Sequence, residues 1–234
     1  MATIISWDEA GKRNYNTGVD MVALFVKNGT TYGKPVAFNG VTAVNESPSG
    51  AESNKIYADN HEYLNLISKE EFACTLEAYA KPLEFDSCEG IKCGSKAGHE
   101  YIKYTQQPRS KFGLAYRTLI GNDTTAAEAN IITDSSSVSN KNFIIHLVYE
   151  CSAGVSSKDH ATVNDSPEAA TFSWEISTSK KVYTINNKNY ELAHIEIDCS
   201  NLSDVKVTSL LNAIYGTGAN AMPDPTTLYT ILSA

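Results

Sequence analysis

The sequence predicts a mainly β fold with one helix laid on a sheet, and three observations lead there. Several short runs alternate apolar and polar residues with a period of two, two runs are almost continuously apolar, and a single long stretch places apolar residues at helical spacing. The chain has 234 residues, 42% hydrophobic and 20% charged, a balance suited to folded domains rather than to a fibre or a disordered tail.

Met21 to Val26 is the first apolar run and reads as a strand covered on both faces, by a second sheet or by another subunit. Asn39 to Asn54, with Gly40, Ser47, Pro48, Ser49 and Gly50, is rich in turn formers and reads as a long loop. Between Glu71 and Ala78, the residues Phe72, Cys74, Leu76 and Ala78 share one face while Glu71, Thr75 and Glu77 share the other, the pattern of a half-buried strand. Lys81 to Phe85 suits a short helical turn, since Pro82 is compatible with a first turn. Leu114 to Ile120 is a further strand, followed by a second turn-rich loop from Gly121 to Lys141.

Phe143 to Tyr149 is the other apolar run, interrupted only by His146. Phe172, Trp174 and Ile176 alternate with Ser173, Glu175 and Ser177, and Ala193, Ile195, Ile197 and Cys199 alternate with Leu192, His194, Glu196 and Asp198. Both are strands with one dry and one mainly wet face. The polar cluster Ser200, Asn201, Ser203, Asp204 then introduces Val205, Val207, Leu210, Leu211 and Ile214, an amphipathic helix for which Gly216 is the stop. Residues 1–216 are thus expected to form one domain. Residues 217–234 form a C-terminal arm whose Leu228, Tyr229, Ile231 and Leu232 would dock elsewhere, a neighbouring subunit included.

Charge and chemistry narrow the function by exclusion. The formal charge is -8, which disfavours an electrostatic grip on nucleic acid. The excess is uneven: residues 1–117 carry 13 basic and 14 acidic side chains, residues 118–234 carry 6 and 13. The N-terminal segment lacks a secretory signal pattern and no window approaches the roughly 20 apolar residues of a membrane helix, so a soluble product of the cytosol is expected. Five cysteines are an odd number, and reduced core thiols are the expectation. Cys88 and Cys93 with His99 fall short of a closed tetrahedral metal set, and no metal or other cofactor is expected.

No nucleophile elbow, phosphate loop, dinucleotide fingerprint or His-Glu-x-x-His helix is present. His146 and His194 lie in strands, where a satisfied or surface histidine is commoner than a catalytic one. Glu70 and Glu71 are adjacent on an extended chain, so their carboxylates point apart. No catalytic residue is assigned and no enzyme is expected.

One resemblance goes further. The blocks Ile56-Tyr57-Ala58-Asp59-Asn60, Tyr63-Leu64-Asn65-Leu66, Glu70-Glu71-Phe72 leading to Leu76-Glu77-Ala78-Tyr79, Phe112 to Asp123, and Thr162 to Ile176 with Asn164, Asp165, Ser166, Pro167 and Glu168 at its centre occur in an order that resembles the major tail protein family of long-tailed, non-contractile bacteriophages. Least similar are Cys93 to Tyr104, Thr124 to Asn140 and the segment after Gly216. The resemblance implies a two-sheet β sandwich, barrel-like, with a flanking helix and long inter-subunit loops. It further implies a virion protein assembled in the host cytoplasm, six copies to a ring, rings stacked into a tube that conducts the genome, and no catalysis. Partners would be further copies of the chain and the tape measure, tail terminator and distal tail proteins, with no membrane.

DNA would then pass the wall without specific binding, which gives an acidic lining a purpose. Glu71 and Glu77, or Glu196 and Asp198 beside His194, are the polar rows considered for the bore, with bulk solvent as the equal alternative. The loops Asn39 to Asn54 and Gly121 to Lys141 and the C-terminal arm are expected to make contacts between subunits. A monomeric β-sandwich module that binds a host surface or carbohydrate is the competing function.

Overall fold

The two apolar runs become the spine of the fold. In the computed structural model, which describes residues 7, 9–94, 101–124, 141–156, 158, 162, 169–218 and 221–233, they lie in β1 (Tyr15–Asn28) and β11 (Phe143–Ala153). The strand β10 (Phe112–Gly121) runs antiparallel between them. Alternate residues of these strands enter two different cores: Val22 and Leu24 one, Ala23 and Phe25 the other. An extended chain sends successive side chains to opposite faces, so a strand with no polar alternation must be covered twice. The cover comes from the chain itself.

On one side that cover is more sheet. β15 (His194–Asp198) pairs with the first half of β11. β11 then bends at Glu150, which has a φ of 52°, and its Ser152 and Ala153 pair with β12 (Phe172–Ser177). From β12 the ladder continues through β7 (Ala73–Ala78) to β4 (Val41–Glu46), all antiparallel. One path of strands therefore folds over itself into two layers. Cys74, Leu76 and Ala78 of β7 and Trp174 and Ile176 of β12 face Leu114, Tyr116 and Val148 across the gap, as the alternation requires. Trp174 sits at the centre with Phe38, Phe85 and Phe172 around it.

Helices cover the other side. Ser203 caps α1 (Asp204–Tyr215) by accepting from the Lys206 backbone N–H, and Val207, Leu210, Leu211 and Ile214 are buried against Phe25, Ile145 and Leu147. Val205 stands in solvent, on the side of the helix opposite the buried stripe. Gly216 does end the helix, but at a φ of -63° rather than in the left-handed conformation. Its requirement is spatial: a Cβ there would strike the Asn212 carbonyl oxygen.

Several expectations need correction. The arm contains a second helix, α2 (Pro225–Ser233), started by Asp224, whose Oδ1 accepts from the Thr227 N–H at 2.8 Å. Met222 and Leu228 are buried in the same core as α1, the Tyr149 hydroxyl donates to the Pro223 carbonyl, and Lys206 Nζ donates to the Leu232 carbonyl. Met222 and Leu228 of the arm are thus buried on its own domain, while Tyr229 stays exposed. The turn-rich segment Asn39 to Asn54 is not one loop: it holds β4, and beyond it Ser47 and Ser49 still bond to Ala73 and Glu71. Pro82 precedes a 3-10 turn over Leu83–Ser87 rather than lying within it. Beyond Thr124, the Gly121 to Lys141 loop falls outside the described residues until Lys141, as do Asn164, Asp165, Ser166, Pro167, Glu168 and His99.

The remaining pairings are small. β2 (Thr31–Tyr32) and β3 (Val36–Ala37) edge β1, β8 (Lys92–Cys93) pairs with β9 (Lys103–Tyr104), β13 (Lys181–Ile185) with β14 (Lys188–Leu192), and β5 (Ser53–Ala58) with β6 (His61–Ile67). The fold is mainly β, antiparallel, with two flanking helices.

Candidate assembly surface

The β5–β6 hairpin forms a sheet of its own, outside the ladder of the sandwich. Its turn is Asp59-Asn60, with φ of 51° and 65°, the positive values a two-residue type I′ connection demands. Tyr57, Ala58, Asp59 and Asn60, singled out by resemblance, are therefore the tip and approach of a hairpin. The signal that finds it is a turn dipeptide between two runs with strand-forming residues, Ser53 to Ala58 and His61 to Ile67.

Every residue of β6 is exposed, and all of β5 except Ala58. Cross-strand partners share a face, so Ile56 and Leu64 lie together beside the Asn54–Leu66 pair, while Tyr57 and Ile67 share the opposite face with Ser53, Lys55, Glu62 and Asn65; the register shifts between Ile56 and Tyr57 and leaves Tyr63 as the extra residue. Tyr57 is 65%, Tyr63 70% and Ile67 67% exposed. The hairpin thus has one mainly apolar face, Ile56, Leu64 and Leu66, and one mixed face on which exposed Tyr57 and Ile67 stand among polar residues. An isolated two-stranded hairpin is marginal in water, and its own polar bonds, Ser53 Oγ to Asn65 Oδ1 at 2.6 Å and Lys55 Nζ to Glu62 Oε2 at 2.8 Å, are exposed and contribute little. Its base is tied down: the Ser68 N–H bonds to the Glu52 carbonyl, and Lys69 pairs with Glu191 of β14, holding that carboxyl below its usual range through the hydrogen bond.

A second surface is the outer face of the β4–β7–β12 layer. Thr75 and Glu77 of β7 lie there beside Asn45 of β4 and Ser173 and Glu175 of β12. None of these three strands contains a lysine or arginine. Glu71 continues the row just before β7, bridged to Ser49.

Glu196 and Asp198 do not join that row. They lie on β15, on the face opposite Ile197, which is buried against the helices. Asp198 is exposed and accepts from the Ser200 N–H at 2.9 Å. The two candidate rows for a bore therefore belong to different faces of different layers.

No protein-family model matches the chain, and no curated protein matches it. Three solved structures align over most of it: a chain of the anti-feeding prophage baseplate, symmetrised six-fold (9% identity, 83% of this chain and 99% of that one, TM-score 0.36), a chain of an extracellular contractile injection system's PVC sheath-tube complex in the extended state (12%, 76% and 88%, TM-score 0.32), and Hcp1 from Salmonella typhimurium (10%, 77% and 96%, TM-score 0.28). At such identities and TM-scores the likeness carries no functional argument. No described helix is long and apolar enough to cross a membrane.

Proposed function

We propose that the chain is a non-catalytic structural subunit that assembles with copies of itself into a phage-type tail tube, hexameric rings stacked along an axis. The observation that carries the reading is the β5–β6 hairpin: with Ile56, Leu64 and Leu66 exposed on one face, Tyr57 and Ile67 on the other, and few stabilising contacts of its own, it calls for partner surfaces. A hairpin inserted between two neighbouring subunits has them. Head-to-tail contacts of this kind close into rings where the rotation closes and extend into filaments where it does not. The order of the motif blocks from Ile56 to Ile176 supports the same reading.

In such a tube the Glu71, Glu77 and Glu175 face, free of lysine and arginine along its strands, suits a wall past which DNA slides without sticking. The protein then belongs to the virion tail, with tape measure, terminator and distal tail proteins as further partners.

Electron microscopy and sedimentation of the full chain test this. Rings or tubes are expected, alone or with tail partners, and the triple variant Ile56→Ser/Leu64→Ser/Leu66→Ser should sediment as a monomer with unchanged circular dichroism. A wild-type chain that stays monomeric at high concentration with those partners present would overturn the reading in favour of a monomeric host- or carbohydrate-binding module.

A further inference from the structure

The two histidines that the sequence leaves idle meet at the open mouth between the β layers. His146 of β11 and Glu196 of β15 are cross-strand partners, His194 is one step along β15, and Glu46 is the last residue of β4, arriving from the facing layer. The space between the layers is apolar through Tyr116 and turns polar here. One donor atom from each of the four residues lies within 4.8 Å of every other. His146 Nδ1 is 3.3 Å from His194 Nε2, 3.6 Å from Glu46 Oε1 and 3.8 Å from Glu196 Oε1.

We propose that Glu46, His146, His194 and Glu196 form a binding site for a zinc-class divalent ion. Tetrahedral zinc with bonds of about 2.0–2.1 Å keeps its ligand atoms about 3.4 Å apart, so the distances from His146 Nδ1 change little and the other pairs, within 4.8 Å, close by side-chain rotation. Two imidazoles with two carboxylates select a borderline ion over calcium or magnesium, which take oxygen donors. Two carboxylates also balance the ionic charge of +2.

The surroundings prepare the donors. Thr118 Oγ1 lies 2.9 Å from His146 Nε2, so a proton held there for the hydroxyl leaves the Nδ1 lone pair aimed at the cluster. Tyr116 donates its hydroxyl to Glu46 Oε1 at 2.7 Å and lies flat on the His146 ring, 4.5 Å between centroids. Phe72 lies against His194 at 4.2 Å and shields it. Burial pushes both histidines below their ordinary range, against the opposing pull of Glu46 and Glu196. The rings of His146 and His194 are nearly parallel, 5° apart, and the half-exposed His194 must turn to bring its lone pair onto the common point. A bound ion would staple the end of β4 to β15 and close the mouth of the sandwich.

The test uses the full, tag-free chain stripped with chelator, titrated with Zn²⁺ by calorimetry and with Co²⁺ by visible absorption. One ion per chain is expected, with the intense cobalt bands of a tetrahedral site, lost on adding Zn²⁺. His194→Ala and Glu196→Gln remove partly exposed ligands and should weaken binding about tenfold or more, as should Thr118→Val through His146. Circular dichroism identifies any variant that fails to fold, and the partly exposed ligand pair keeps the test decisive if Thr118→Val does. Weak octahedral cobalt spectra, or equal binding by wild type and a folded His194→Ala/Glu196→Gln variant, would reduce the cluster to a hydrogen-bonded pair of histidines and overturn the site.

Discussion

Arg117 and Asp20 face each other as register partners across β10 and β1, and the guanidinium closes on the carboxylate through Nε to Oδ1 at 2.7 Å and Nη2 to Oδ2. The Arg117 side chain is 2% exposed, with its charge 5.2 Å from the centre of the Phe143 ring. The ladder shifts register on both sides of Asp20, and Met21 takes a φ of 50°, so the irregularity in β1 coincides with this pair.

Asp20→Ala removes the carboxylate that the buried guanidinium grips and is expected to lower stability by about 1.5–3 kcal/mol, read from urea unfolding. A loss below about 1 kcal/mol would mean that water or another group takes over the role.

Acid should destabilise the fold through two buried carboxylates. Burial pushes Asp86 and Glu150 up, but hydrogen bonds and charge from Lys103 and Lys81 on the first, and from Lys27 and Lys111 on the second, bring both below their ordinary 3.8 and 4.5. A depressed folded value means the stabilisation is complete above the unfolded value and is lost as pH falls through the folded one. The melting temperature is expected to fall between about pH 5 and pH 2, and Lys103→Met should make that fall shallower. An unchanged slope in the variant would remove Asp86 from the account.

The thiols should react in two classes. Cys74, Cys88, Cys151 and Cys199 are buried and Cys93 is exposed, with no disulfide among them. Burial raises Cys74, Cys88 and Cys199 to about 12 and pushes Cys151 well up as well, so none presents a thiolate near pH 8. A colorimetric thiol assay should find one fast group in the native protein and five after denaturation. More than one fast thiol would show that a core strand opens.

Trp174 combines core volume with a polar tether. It is fully buried and its Nε1 donates to Glu89 Oε1 at 2.6 Å, while Glu89 also pairs with Lys81 and Lys158. Trp174→Ala is expected to cost about 3–5 kcal/mol and Trp174→Phe about 2 kcal/mol, measured by denaturant titration. Equal costs for the two would assign the whole effect to the tether.

Much of the fold was legible because its signals are local. Met21 to Val26 and Phe143 to Tyr149 lack polar alternation and turned out to be covered twice; Cys74, Leu76 and Ala78, and Trp174 with Ile176, keep the faces their spacing assigns. Ser203 and Gly216 mark the bounds of α1 as their residue types suggest. The start of α2 was equally legible in Asp224-Pro225, but two nearby prolines and a terminal position favoured an arm over a helix.

The sequence alone determined which side of each strand is dry, because a period of two is a property of neighbouring residues and needs no partner to be read. Its net charge of -8 also disfavours an electrostatic grip on nucleic acid. Only the tertiary structure decided that Asn39 to Asn54 zips along β7, that Leu228 returns to its own core, that β5 and β6 stand apart from the ladder, and that Glu46 meets His146, His194 and Glu196. Each of these depends on which distant segments pair and how β11 bends at Glu150, and residue spacing along the chain carries no record of either.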